Sequence, residues 1–76
     1  ISVYPNPSNG QVNFKFSNLE EDVVVTFYSV EGKIISTHNV KPNTPLQSYT
    51  ISNSNQLILY QIEGNNINYS GKVLIN

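Results

Sequence analysis

Apolar residues recur at every second position along most of the chain. Val12, Phe14 and Phe16 alternate with Gln11, Asn13 and Lys15, the pattern of a strand with one face in a core and the other in water. Val23, Val25 and Phe27 repeat it. Because Val24, Thr26 and Tyr28 make the opposite face half apolar, this strand is expected inside its sheet rather than at an edge. In "YSVEGKII" the pair Glu31-Gly32 interrupts two apolar runs. Gly32 tolerates positive φ, as a tight hairpin requires, and the Ser29 side chain can hydrogen-bond its own backbone to start the turn. A further strand is predicted over residues 33–40, ended by "KPNTP", where Pro42 and Pro45 cannot donate to a ladder.

The pattern continues over residues 47–51, with Tyr49 and Ile51 inward, then breaks at the polar "SNSN" of residues 52–55. Residues 57–63 form another predicted strand with Ile58, Tyr60 and Ile62 inward. "GNNINYSG", residues 64–71, is expected to be a loop, and "KVLIN" a short final strand. With the short apolar run before the first proline, this makes about seven strands. No window sustains a 3.6-residue period, and "LEED" is too short for a helix. The expected fold is all-β, a small immunoglobulin-like antiparallel β-sandwich. Val12, Phe14, Phe16, Val25, Phe27, Ile51, Ile58 and Tyr60 are expected in its core.

Composition sharpens this picture. A chain of 76 residues fits one domain, and without cysteine the apolar core must hold it together. Its stability is expected to be modest, about 4–11 kcal/mol. Ala, the best helix former, is absent. Charged residues make up 12%, and the net charge is −1 with four scattered Lys, so neither nucleic acid nor an anionic membrane is an expected partner. No apolar run approaches the length of a transmembrane span. The first residue is Ile, so the chain is read as a piece of something longer.

Candidate chemistry is sparse. His38 is the single histidine and has neither another His nor a Cys beside it, so it reads as a solvated strand residue. Glu20, Glu21 and Asp22 cluster, but calcium needs six to eight oxygens and no such spacing is present. Nine Ser include none in a Gly-x-Ser-x-Gly elbow. No enzyme activity, metal or cofactor is expected. The five Tyr and three Phe suggest either core filling or stacking platforms for sugar rings; Trp, the strongest platform, is absent. "NYS" at residues 68–70 matches a glycosylation pattern too short to be specific.

Three blocks in order resemble the C-terminal sorting domain of the type IX secretion system. "VYPNPSNGQVNFKF" is similar to the family's opening, with Tyr4, Pro5, Asn6, Pro7 and Gly10 at the motif positions. "VVVTFYSVEGKIIS" is similar to its second block through Gly32 and Lys33. "GKVLIN", that is Gly71, Lys72, Val73, Leu74, Ile75 and Asn76, resembles its final strand. Ser29 stands where many members have Asp, and Leu57 and Leu59 stand where members usually have Gly and Tyr.

The resemblance implies a non-catalytic domain over residues 1–76 that follows a larger secreted cargo. It implies recognition by the type IX translocon with its outer-membrane shuttle and sortase proteins. The cargo would cross the periplasm and outer membrane of a Gram-negative bacterium to the surface or the medium, the domain commonly being cleaved off. In this reading the Pro-Asn-Pro stretch is where the cargo linker enters, and the final strand offers an unpaired edge for β-augmentation. The other class of function is a carbohydrate-binding or accessory module of a surface enzyme; a structural spacer is a third.

Overall fold

The computed structural model describes residues 1–52 and 55–76. Seven strands follow one another: β1 (Ser2–Tyr4), β2 (Gln11–Lys15), β3 (Val23–Ser29), β4 (Ile34–Val40), β5 (Leu46–Thr50), β6 (Gln56–Glu63) and β7 (Asn68–Ile75). They form two antiparallel sheets, β1-β2-β5 and β4-β3-β6-β7, packed as a β-sandwich. Relative to a constant-type immunoglobulin arrangement, the fourth strand has changed sheets and pairs with the third. No helix among the described residues is long and apolar enough to cross a membrane.

The alternation that defines the strands also places the core. Val12 and Phe14 from one sheet meet Val23, Val25, Phe27, Ile58, Tyr60, Ile62, Val73 and Ile75 from the other, all buried. Phe14 is the hub: its ring lies 5.8 Å from Phe27, 5.5 Å from Tyr49 and 5.3 Å from Tyr60, each edge-on. Edge-to-face geometry sets the positive ring edge against the negative face and adds to the burial itself. All eight core residues expected from the pattern are buried, and β3 is flanked by β4 and β6.

The β3–β4 hairpin closes as its residues suggest. The Ser29 carbonyl accepts from Gly32 N–H at 2.9 Å, the Ser29 hydroxyl accepts from Lys33 N–H at 3.2 Å, and Gly32 sits at φ 86°. A bulge follows: Phe27 pairs with Ser36 and Tyr28 with Ile34, leaving Ile35 without a partner. Such an extra residue bends the strand and increases its twist.

The end of the chain differs from expectation. Residues 68–71 are strand, not loop, and β7 is eight residues long. The loop shrinks to a tight turn closed by Gly64 N–H donating to the Ile67 carbonyl at 2.7 Å. Polar side chains hid this extension. Asn68, Tyr69 and Ser70 pair with Glu63, Ile62 and Gln61 of β6, and ladder hydrogen bonds are indifferent to polarity. The polar turn expected at 52–55 lies in part outside the described residues.

Candidate functional site

The opening stretch, residues 5–10, lies between two strands and does not precede the first. It connects β1 to β2 in one sheet and, on the way, crosses to the edge of the other. There it lies against β7, so the first and last motif blocks are in direct contact.

Asn6 and Ser8 make the contact. Asn6 Nδ2 donates to the Lys72 carbonyl, and Asn6 Oδ1 accepts from Leu74 N–H, both at 3.2 Å. A primary amide offers donor and acceptor side by side, so one side chain spans two main-chain groups of a strand edge. Ser8 N–H donates to the Leu74 carbonyl at 2.7 Å, and the Ser8 carbonyl accepts from Asn76 N–H at 2.8 Å, forming a parallel bridge to Ile75. The Ser8 hydroxyl donates to the Gln11 carbonyl at 2.6 Å and accepts from Gly10 N–H at 3.0 Å. Every polar group of Ser8 is paired, which explains how a serine is fully buried.

Around this contact the remaining motif residues have local roles. Tyr4 ends β1 with its side chain exposed, and the Tyr4–Pro5 and Asn6–Pro7 peptide bonds are both cis. Gly10 holds φ 118°, open to glycine alone, and its carbonyl accepts from Ile51 N–H at 2.7 Å. Val73 and Ile75 point into the core, whereas Lys72 and Leu74 are exposed on the outer face, Leu74 opposite Leu57. Gly71 lies directly beneath Tyr60.

Gly32 and Lys33 are not brought to this edge. Ser29 pairs with Ile58 and Gln56 with Ile75, so the turn shares an end of the sandwich with Ile75, but β6 stands between them. The expectation of an open edge along residues 72–76 is also corrected: Asn6 and Ser8 already fill it. Pairing only needs main-chain geometry, and a turn 66 residues away supplies it.

Ser8 is the residue sequence reasoning passed over. A serine after Pro in a turn signals side-chain-to-backbone bonding. Its main-chain link to a strand at the far end of the chain has no local signature.

His38 is not simply solvated: half-buried, its ring lies 4.4 Å from that of Tyr49 and Nε2 is 3.0 Å from the Ser36 hydroxyl. The Tyr49 hydroxyl is buried without a hydrogen-bond partner among the described residues, and burial pushes its pKa up to about 12. Burial, and then the charge of Tyr69, also raise Tyr60. Glu21 accepts from Asn66 N–H at 3.0 Å, tying the acidic loop to the β6–β7 turn. Among the described residues no cluster of three or more His, Cys, Asp or Glu is placed to hold a metal.

Comparison with curated proteins and with solved structures gave no match. A family model described as a secretion system C-terminal sorting domain matches residues 2–76. That match contains the opening stretch, the β3–β4 turn and the terminal strand together, and with it the chain belongs to the family of type IX secretion C-terminal sorting domains.

Proposed function

We propose that this domain directs an attached N-terminal cargo across the outer membrane through the type IX system, and that it is removed as the cargo is released or anchored at the surface. The family is not catalytic, and its membership implies the export machinery as partner. The observation that carries the reading is the family match over residues 2–76, within which the first and last motif blocks are bonded to each other. A composite surface of this kind exists only in the folded domain, so recognition reads a fold and not a linear tag.

The test is a fusion of signal peptide, reporter and this chain in a host with a type IX system. The reporter is expected outside the cell. Equal export of an unrelated β-sandwich fusion would overturn the assignment. In that event, binding of glycans by Tyr4 and Tyr69, both 43% exposed, becomes the reading to pursue.

A further inference from the structure

The outer edge of β7 is covered unevenly. In an antiparallel ladder alternate residues turn both main-chain groups away from the partner strand. On β7 these are the even-numbered positions, since the Lys72 carbonyl, both main-chain groups of Leu74 and the Asn76 N–H meet Asn6 and Ser8. Residues 6–8 thus act as a short surrogate strand, parallel to β7 at the Ser8–Ile75 bridge. At Ser70, in the same outward phase, no group among the described residues occupies the edge.

The cover is also graded in strength. Ser8 holds Leu74 and Asn76 at 2.7 and 2.8 Å from a buried position, whereas both Asn6 bonds are 3.2 Å long and exposed to water. The weak end adjoins the free position.

Resting on the sorting reading above, we propose that the outer edge of β7 is a strand-receiving surface for an extended segment of the export machinery. Residues 6–8 occupy it until that segment displaces them. The incoming segment pairs first with the free main chain of Ser70, then replaces Asn6 at Lys72 and Leu74, and last replaces Ser8. Each hydrogen bond lost is matched by one gained, so the exchange is close to balanced and reversible. Main-chain pairing supplies the affinity, and until it forms the cover keeps the edge from pairing with other chains.

The reporter fusion tests this with Asn6→Ala, which removes the weak half of the cover, and Asn6→Asp, which keeps the acceptor for Leu74 N–H. In the purified fusion, amide exchange at Leu74 is expected to quicken about tenfold in Asn6→Ala and less in Asn6→Asp. The initial rate of export is expected to rise in the same order. Faster exchange at Leu74 with export unchanged or slowed overturns the proposal while the exported parent upholds the sorting reading. Unchanged exchange in both variants overturns it as well. A parent fusion that stays inside the cell overturns the sorting reading itself.

Discussion

Tyr60 lies over Gly71, its direct partner across the β6–β7 ladder. A Cβ at position 71 would meet the phenol hydroxyl and come within 2.6 Å of Cζ. Glycine ordinarily weakens a strand interior, but here the ring of a neighbouring residue fills the space a side chain would take. Tyr69 stacks on the same ring at 6.4 Å. Gly71→Ala is therefore expected to destabilise the fold by about 1–3 kcal/mol in denaturant titrations. Tyr60→Leu should recover part of that loss in the Gly71→Ala background. Additive losses in the double variant would show that the two residues are not coupled.

Phe27 is fully buried and meets the rings of Phe14, His38 and Tyr49 edge-on. Phe27→Ala leaves a cavity at the centre of both sheets, at a cost of about 3–5 kcal/mol. In a domain this small that lowers the melting temperature by about 10 °C or more. A shift of only a few degrees would mean that the core does not depend on this ring.

How much of this was legible follows from which forces act locally. Burial acts residue by residue, so the period of two located β2, β3 and β6 and their inward faces. The Ser29–Gly32 turn was legible because its chemistry is contained in five residues. The extent of β7 was not, because Asn68 and Ser70 gain their place from ladder bonds that carry no hydrophobic signal. His38 was misjudged for a similar reason: its packing depends on Tyr49, contributed by the opposite sheet. The motif residues at the two ends were legible only as resemblance, and their union through Asn6 and Ser8 is a property of the folded chain.

Tyr49→Phe removes a buried hydroxyl that has no partner among the described residues, so near neutral pH the variant should melt at or above the parent temperature. The alkaline limb distinguishes the two further. Tyr49 keeps its proton to about pH 12 in the folded chain, whereas an unfolded tyrosine releases it near 10. The folded state then holds more protons, so stability falls as pH rises above about 10, and the loss is complete once pH passes about 12. The parent's melting temperature should fall more steeply than the variant's across that window. Parallel profiles would show that this hydroxyl does not drive the loss.

At Gly32 a Cβ would meet nothing within 4 Å, so substitution tests backbone conformation alone. With φ at 86°, Gly32→Ala should cost about 1 kcal/mol, and Gly32→Asn less, since Asn tolerates the left-handed region better. The check is thermal unfolding of both variants. Equal losses would mean that the turn relaxes to another conformation on substitution.

The terminal strand separates side-chain from main-chain recognition. Leu74 is 43% exposed, and its main-chain groups face Asn6 and Ser8 rather than β6. Leu74→Ser removes the side chain while leaving both ladders intact. Leu74→Pro removes the outward N–H, which β6 does not use, so it spares the β6–β7 ladder and costs only the exposed bond that Asn6 Oδ1 accepts. Ile75→Ala, by contrast, hollows the core at a residue 1% exposed and should cost about 2–5 kcal/mol. If the export machinery pairs with the β7 main chain, Leu74→Ser should leave the reporter fusion exported at nearly the parent rate. Leu74→Pro should fold yet lose export, and Ile75→Ala should lose export together with stability. Melting curves recorded beside export rates separate these cases. Export that persists in a folded Leu74→Pro fusion, or fails in Leu74→Ser, would place recognition in side chains and remove the main-chain edge from the mechanism.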